Sequence, residues 1–223
     1  VTASTYAGEE GLLNIEREVE MSGPIHDKGV LILHSYLSSL FAHIAPLAMN
    51  AAVVFEQEYS GVEGDSASCA EFYALLSSLS GSPMQQGIAV TGAVNQHGEL
   101  LPVGGINEKI EGYFRSCESL GLTGDQGVLM PRRNLRHLML DERVVQAVTA
   151  GRFHIHVADT ASEGMALLTG MRFGVLGLGG YDADSVLGRA QKTLQRFRHA
   201  CEHLGKPAVN PNHMRHLKHS IYR

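Results

Sequence analysis

Tryptophan, paired cysteines and long apolar runs are missing from this 223-residue sequence. Its three cysteines, Cys69, Cys117 and Cys201, are scattered, so they predict neither a disulfide framework nor a Cys-x-x-Cys metal site. No apolar run reaches the roughly 18–20 residues that a membrane-spanning helix needs. We therefore expect three reduced thiols in a cytoplasmic protein that does not enter a membrane.

A large excess of charge is missing too. Lysine and arginine number 18 against 23 acidic residues, and the formal net charge of -5 exerts no general attraction on nucleic acid or anionic lipid. The sequence Gly-x-x-x-x-Gly-Lys-Ser/Thr is absent, which excludes nucleotide binding through a P-loop. Hydrophobic residues make up 44% of the chain, enough for a buried core. We expect no cofactor in this segment. The start at Val1 instead of methionine suggests a processed protein or a piece of a longer one.

The periodicity of the apolar residues predicts an alternation of strands and helices. Strands are predicted at residues 11–21, 51–55, 88–94, 100–103, 128–130 and 153–158. Helices are predicted at residues 27–46, 67–79, 104–120, 141–150, 160–168 and 182–204. Because this order does not follow a strict βαβ repeat, the predicted fold class is α+β (mixed α/β).

The composition changes near residue 170, which predicts a boundary between two parts. Residues 1–172 form the predicted globular domain. Residues 173–223 comprise a glycine-rich linker at 174–180, an amphipathic helix at 182–204 and a basic tail after Lys206. We expect the helix to dock on the main domain or on a neighbouring molecule. The tail is either a solvated terminus or a contact for nucleic acid or an acidic partner surface.

A serine and a lysine each stand where a glycine-containing loop leads into a predicted helix. The two loops are Glu63-Gly64-Asp65-Ser66-Ala67-Ser68 and Val103-Gly104-Gly105-Ile106-Asn107-Glu108-Lys109. Serine becomes a nucleophile when a base takes its proton, and a lysine with a lowered pKa can be that base. The free N–H groups at the start of the helix after Ser66 suit a developing oxyanion. We therefore predict a Ser66–Lys109 dyad for acyl transfer. The alternative is that Asp65, Ser66 or Ser68 merely caps the helix.

Lys109 can act as a base only if its pKa is strongly lowered. A free lysine titrates near about 10.4, so the protein must lower this pKa by about 3 units. The positive end of the helix contributes only about 0.3–1 kcal/mol when exposed, whereas burial shifts a lysine by about 3–5 units. We therefore expect Lys109 to be largely buried.

Several motifs between residues 11 and 170 together resemble the proteolytic domain of the Lon proteases, a serine–lysine peptidase family. They are the Ser66 and Lys109 loops, Val90-Thr91-Gly92, Gly98-Glu99-Leu100-Leu101-Pro102 and Val128-Leu129-Met130-Pro131. Most Lon enzymes have Gly-Pro-Ser-Ala-Gly at the nucleophile. This chain is similar to the Lon branch whose loop reads Glu-Gly-Asp-Ser-Ala-Ser, which Phe55-Glu56-Gln57 also fits. The resemblance implies the Lon proteolytic-domain fold, which is similar to that of a ribosomal-protein domain.

The same resemblance implies roles for individual residues. Ser66 is then the nucleophile, Lys109 the general base and Thr91 the hydroxyl that orients the amine, with Ala67 in support beside the serine. The histidine that other Lon enzymes carry about twelve positions before the serine is missing, because Val53-Val54-Phe55 stand there. The implied activity is a serine endopeptidase acting on unfolded or damaged proteins. The implied assembly is a homo-oligomer such as a hexameric ring, with ATP and Mg²⁺ bound only by an ATPase module upstream.

Two acids beside the nucleophile suggest a regulated site. A carboxylate bonded to Lys109 would stabilise the ammonium form and oppose base catalysis. We hypothesise that Asp65 or Glu63 holds Lys109 in an inactive state and releases it in an active one; the alternative is that both acids simply face solvent. Two other functions stay open at this point. They are a catalytically silent scaffold or regulatory module of the same fold, and a nucleic-acid-binding module that uses the basic tail.

Overall fold

The computed structural model describes residues 1–204, with side chains to residue 202, so the predicted basic tail lies outside the described residues. The strands are β1 (Thr2–Ala7), β2 (Gly11–Asn14), β3 (Met49–Val54), β4 (Ile88–Val90), β5 (Ala93–Val94), β6 (Leu100–Leu101), β7 (Gly127–Pro131), β8 (His154–Ala158), β9 (Leu176–Gly177) and β10 (Gly180–Tyr181). The helices are α1 (Ile15–Glu18), α2 (Pro24–Leu40), α3 (Ser68–Ser80), α4 (Ile106–Leu120), α5 (Glu142–Thr149), α6 (Ala161–Thr169) and α7 (Val186–Leu204). Short 3₁₀ turns follow α2 and β7, at Ala42–Ile44 and Arg132–His137.

Two three-stranded sheets form the β part of the molecule. In the first, β3 lies between β1 and β2 and pairs antiparallel with β1, so that Thr2 faces Val54, and parallel with β2. In the second, β7 lies between β4 and β8, and all three strands are parallel. Two short antiparallel pairs, β5–β6 and β9–β10, complete the strands. Small sheets mixed with helices confirm the predicted α+β class.

Helix α3 lies in the centre of the larger hydrophobic core. It buries almost every apolar side chain that it carries: Cys69, Phe72, Tyr73, Leu75, Leu76 and Leu79. Helix α2, strand β1 and helix α7 all contact it. A helix that is apolar on most of its circumference is stable only when it is covered on all sides. The segment that follows Ser66 is therefore fixed by a helix that is buried in the larger core.

A smaller core lies under the helix that carries Lys109. Helix α4 buries one stripe, Ile106, Ile110, Phe114 and Cys117, at the three- and four-residue spacing of an amphipathic helix. The stripe packs on β7, α5 and Phe153. Its remaining faces are open, so α4 presents Lys109 from a helix that is buried along one side only.

Helix α7 packs on the main domain. Val186, Leu187, Ala190 and Leu194 are buried in the larger core, where the helix contacts α3 and β1. The segment that was predicted to be a linker contains the β9–β10 pair. Tyr181 of this pair donates its hydroxyl to the carbonyl of Leu40 at 2.6 Å. The helix begins at residue 186 and not at 182. The division of the chain at residue 173 stays a prediction.

Several local predictions differ from the structure. The helix predicted at 27–46 runs from Pro24 to Leu40, and the strand predicted at 100–103 ends at Leu101. The strand predicted at 11–21 ends at Asn14, whose side chain accepts the N–H of Arg17 at 3.0 Å and so starts helix α1. Strand β1 was not predicted. The strand predicted at 88–94 is interrupted at Thr91 and Gly92. The N–H of Thr91 still bonds to the carbonyl of Leu129 in the neighbouring strand, but the N–H of Gly92 turns to the carbonyl of Ser66. This interruption helps to form the site described next.

Candidate active site

Backbone bonds, not a side-chain cap, hold Ser66 in place. Gly92 donates its N–H to the carbonyl of Ser66 at 2.8 Å, and Cys69 donates its N–H to the carbonyl of Gly92 at 3.1 Å. The residue at the helix cap is Ala67, and no side chain caps α3. The alternative that Asp65, Ser66 or Ser68 is a capping residue is therefore wrong. The hydroxyl of Ser66 is left free for another role.

Two further features fix this segment against its neighbours. The buried hydroxyl of Ser68 accepts the N–H of Val94 at 3.0 Å. At Gly92 a Cβ atom would stand only 3.1 Å from the Cys69 sulfur and 3.3 Å from Pro131, so a larger residue would push the strand away from α3. Cys69 is fully buried, and burial raises the pKa of its thiol well above the usual range, with the negative charge of Asp65 adding to the shift. It is therefore a packing residue and not a second nucleophile.

The structure brings the predicted serine and lysine together. The Nζ atom of Lys109 lies 2.8 Å from the Oγ atom of Ser66 and 3.4 Å from the Oγ1 atom of Thr91. The hydroxyl of Thr91 also lies 3.5 Å from the carbonyl oxygen of Ser66. Thr91 thus stands between the backbone of the nucleophile and the amine of the base, where its hydroxyl can orient the amine.

The prediction that Lys109 is largely buried is wrong, since its side chain is exposed. Desolvation nevertheless lowers the pKa of Lys109, while the negative charge of Asp65 acts in the opposite direction. Its helix is covered on one side only, which explains why desolvation of the amine is partial. The direction of the shift is the one that a general base requires.

A buried asparagine that we did not predict anchors the start of the lysine helix. The side chain of Asn134 accepts the N–H of Val103 at 3.0 Å and donates to the carbonyl of Val103 at 2.9 Å. Gly105, which precedes α4, has a φ of +65°, a left-handed conformation that favours glycine. Together Asn134 and Gly105 fix where α4 begins and thereby the position from which the Lys109 side chain extends. No local pattern marks Asn134, because its partner lies 31 positions away.

The two acids of the nucleophile loop are exposed and do not contact the lysine. Glu63 accepts the N–H of Gly64 at 2.8 Å, and its carboxylate lies against Gly23. Asp65 packs beside Gly29, where an added Cβ would stand 3.3 Å from its own Cβ. Among the ion pairs of the described residues, none joins Lys109 to either acid. The structure thus has the arrangement in which Ser66 meets the lysine, and the second state of the loop stays a hypothesis.

Two backbone N–H groups beside the serine hydroxyl are unengaged. By contrast, the backbone N–H groups of Ser68 and Cys69, in the first turn of α3, already donate to the carbonyls of Asp65 and Gly92. The helix start is therefore less open than we expected. Within the described residues, the N–H groups of Ser66 and Ala67 have no backbone acceptor. Because they belong to the nucleophile and to the residue that follows it, they are candidate donors for an oxyanion.

An apolar cavity of about 330 Å³ opens beside the dyad. Ser66, Thr91 and Lys109 lie on its wall, and the other lining side chains are apolar: Val1, Phe55, Ala67, Ala70, Ala89, Val90 and Val128. Phe55 occupies the region where other Lon enzymes are expected to carry a histidine. In the sequence, Phe55 and Val128 belong to short motifs that do not predict a cavity, because the cavity forms from segments that are distant along the chain.

The described residues offer neither a metal site nor a membrane-spanning helix. Within residues 1–204, no group of three or more His, Cys, Asp or Glu side chains could hold a metal ion. None of the helices in that range is both long and apolar enough to cross a membrane. The dyad and its cavity are therefore the strongest candidate site.

Comparisons with known proteins agree with this geometry. The family model of the Lon protease C-terminal proteolytic domain matches residues 59–168, a range that contains Ser66, Thr91 and Lys109. A Lon protease homolog of Escherichia coli is 44% identical over 168 residues, which are 75% of this chain and 29% of that protein. A Lon protease homolog of Haemophilus influenzae is 40% identical over 163 residues, 73% of this chain and 27% of that protein. The archaeal Lon protease of Archaeoglobus fulgidus is 38% identical over 93 residues, 42% of this chain and 14% of that protein. The chain thus spans less than a third of the length of these relatives.

Proposed function

This chain carries a proteolytic domain of the Lon protease family, and from that premise we propose that it is a serine endopeptidase module with Ser66 as nucleophile and Lys109 as general base. The observation that carries the proposal is the 2.8 Å distance between the lysine amine and the serine hydroxyl. It lies within the range of about 2.6–3.2 Å over which a base takes a proton directly. A scaffold that performed no chemistry would not require this contact.

In the proposed reaction the neutral amine of Lys109 takes the proton of the Ser66 hydroxyl while Oγ attacks the peptide carbonyl. The carbonyl oxygen becomes an oxyanion, for which the N–H groups of Ser66 and Ala67 are the available donors. When the tetrahedral intermediate collapses, the C–N bond breaks and the ammonium of Lys109 gives its proton to the leaving amine. Lys109 then takes a proton from water while the oxygen of that water attacks the ester carbonyl. When this second intermediate collapses, the bond between the carbonyl carbon and Oγ breaks, the Lys109 ammonium returns its proton to Oγ, and the acid product leaves.

Substrate binding would lower the pKa of Lys109 beyond its value in the free protein. The amine is only partly desolvated in the free protein, and a polypeptide lying over the dyad would exclude more water from it. The exclusion of water would have this effect because the charged form of the amine loses solvation. Thr91 would keep the amine aimed at Ser66 during the proton transfers, through the contact at 3.4 Å.

The cavity supports a preference for an apolar side chain beside the cleaved bond. Its lining is almost entirely apolar, and its volume of about 330 Å³ is large enough for a leucine, methionine or phenylalanine side chain. A charged substrate side chain placed against this apolar lining would lose its solvation without compensation from the lining. Apolar side chains are accessible mainly in unfolded or damaged chains, which we propose as the substrates.

The context of the module is proposed from the relatives. Because this chain spans 29% of the Escherichia coli relative, we propose that it functions within a longer, ring-forming protein, such as a hexamer. In that protein ATP and Mg²⁺ would be bound by an ATPase module outside the described residues, and unfolded substrates would reach Ser66 from it.

Cleavage of casein by four variants tests the dyad. Ser66→Ala and Lys109→Met should abolish cleavage, whereas the exposed controls Ser119→Ala and Lys192→Met should cleave like the wild type. Equal cleavage by Ser66→Ala and the wild type would reject the proposed nucleophile. If the wild-type chain, and the longer protein supplied with ATP, are both inert, the silent-scaffold alternative is favoured instead.

A further inference from the structure

A cluster of buried polar side chains lies behind the site and takes no part in the proposed reaction. Asn14, Glu16, His26 and Glu71 are 3%, 4%, 1% and 1% exposed. They come from four different elements, namely the end of β2 and helices α1, α2 and α3. Burial of a polar group opposes folding unless its lost solvation is compensated, so this cluster calls for an explanation.

The contacts in the cluster are incomplete. Asn14 donates its side-chain N–H to Oε1 of Glu71 at 3.3 Å, and Nε2 of His26 lies 3.6 Å from the same oxygen, too far for a hydrogen bond. Oε2 of Glu16, Oε2 of Glu71 and Nε2 of His26 have no hydrogen-bond partner within the described residues. Two carboxylates that share a buried site cannot both be charged without strong repulsion. The cluster therefore needs at least one proton to be stable.

The cluster touches both walls of the candidate active site. Phe55, which lines the cavity, donates its N–H to Oε1 of Glu16 at 2.6 Å, and its ring lies 5.8 Å from that of His26 in an edge-to-face contact. On the other side, Glu71 belongs to the first turns of α3, where its N–H donates to the carbonyl of Ala67 at 3.1 Å. A shift of the cluster would move the cavity wall and the nucleophile segment relative to each other.

We propose that this cluster positions Ser66 and Phe55 by holding a proton, with Glu71 kept as a neutral acid between Asn14 and His26. Glu71 is then a positioning residue, because it touches neither the substrate nor the reacting atoms. The inference rests on the proposed peptidase function for its effect on cleavage, but the protonation of the cluster is independent of that function.

The environment of Glu71 supports a retained proton. Burial, followed by the negative charge of Glu16, raises the pKa of Glu71 from its ordinary value to about 7, while the amino group of Val1 acts in the opposite direction. Glu16 from α1 and His26 from α2 are the titratable side chains that face it, and Asn14 adds an uncharged donor. Because the folded-state pKa is raised, the stabilisation is complete below the unfolded value near 4.5 and is lost as the pH rises through about 7.

The test compares Glu71→Gln with Glu71→Ala and with an exposed control, Glu142→Gln. Thermal unfolding midpoints are measured from pH 5 to pH 9, together with kcat and KM for peptide cleavage. Glutamine imitates the neutral acid, so Glu71→Gln should flatten the fall of the midpoint between pH 5 and pH 8 that the wild type and the control show. It should also keep the wild-type kcat at pH 6. Glu71→Ala should lower kcat by at least about tenfold, as expected for a displaced nucleophile, with a smaller change in KM.

Three results would overturn the proposal. A midpoint of Glu71→Gln that falls with pH as steeply as that of the wild type would show that Glu71 holds no proton. A midpoint lowered at every pH would indicate a charged pair with His26 instead. A flattened profile with an unchanged kcat in Glu71→Ala would remove the positioning role. Failure of the proposed peptidase function can be distinguished from failure of this inference. In the first case the wild type would cleave nothing, while the thermal unfolding midpoints of the wild type and the Glu71 variants could still be compared.

Discussion

The two residues of the dyad are held in different ways. Ser66 is fixed by backbone bonds to Gly92 and by a helix that is buried on almost every side. Lys109 extends from a helix that is covered along one stripe only, and its side chain is exposed. The nucleophile is thus a rigid element and the base an adjustable one. We expect changes near Ser66 to act through packing, and changes near Lys109 to act through charge and solvation.

The largest expected effect is the loss of the base itself. Lys109→Met removes the amine but keeps an unbranched side chain, and we expect kcat/KM for peptide cleavage to fall by about three orders of magnitude or more. The free energy of unfolding should change by less than about 0.5 kcal/mol, because the side chain is exposed. A large loss of stability in this variant would contradict the proposed difference between the two halves of the dyad.

The next effect concerns the packing behind the nucleophile. Phe72 is fully buried in α3, so Phe72→Ala should lower the free energy of unfolding by about 3–5 kcal/mol, measured by denaturant titration. Tyr59→Ala is a matched control, since Tyr59 is 80% exposed and its loss should change stability by less than about 0.5 kcal/mol. Similar losses in both variants would show that α3 is less tightly held than the structure indicates.

Asn134 tests how the lysine helix is anchored. Asn134→Ala removes a buried side chain and leaves the half-buried N–H and carbonyl of Val103 without their partner, and we expect a loss of about 1–3 kcal/mol of stability. We also expect kcat to fall more than KM rises, because the start of α4 aims the amine. The exposed Gln146→Ala variant is the control, with no expected change in either quantity. An unchanged kcat in the destabilised variant would restrict Asn134 to a structural role.

The smallest predicted effect concerns the acid beside the nucleophile. The charge of Asp65 opposes the lowering of the Lys109 pKa, so Asp65→Ala should increase the fraction of neutral amine at pH 7. We expect kcat/KM at this pH to rise by about two- to fivefold, and the rising, acid-side limb of the pH profile, which reports deprotonation of the base, to move to lower pH. Asp125→Ala, an exposed acid, serves as the control. Unchanged or lower activity of a folded Asp65→Ala variant would refute the idea that Asp65 restrains the site.

The sequence predicted the parts of the fold that local signals specify. The loops at Ser66 and Lys109, and the helices that follow them, were predicted because glycines and regular apolar spacing mark them. Strand β1 was missed, since Thr-Ala-Ser-Thr-Tyr-Ala has little contrast between its two faces. The strand predicted at 11–21 failed at Asn14, where a side-chain cap outweighed an alternating pattern.

The site was predicted residue by residue, but its environment was not. The pairing of Ser66 with Lys109 was predicted from the two glycine-containing loops, and the resemblance to the Lon family strengthened that prediction. The apolar cavity, the anchor at Asn134 and the exposure of Lys109 depend on contacts between distant segments, for which the sequence carries no local pattern. The expected oxyanion donors also differ, because two N–H groups of the first helical turn are already bonded.

The most direct test of the account is the pKa of Lys109 itself, measured by NMR titration of the chain carrying isotope-labelled lysine, with Lys109→Met used to assign the signal. We predict that Lys109 titrates below the ordinary lysine value of 10.5, because desolvation lowers its pKa, and lower still in Asp65→Ala. A Lys109 that titrates at or above the ordinary value, in both the wild type and Asp65→Ala, would contradict its proposed role as the base that activates Ser66.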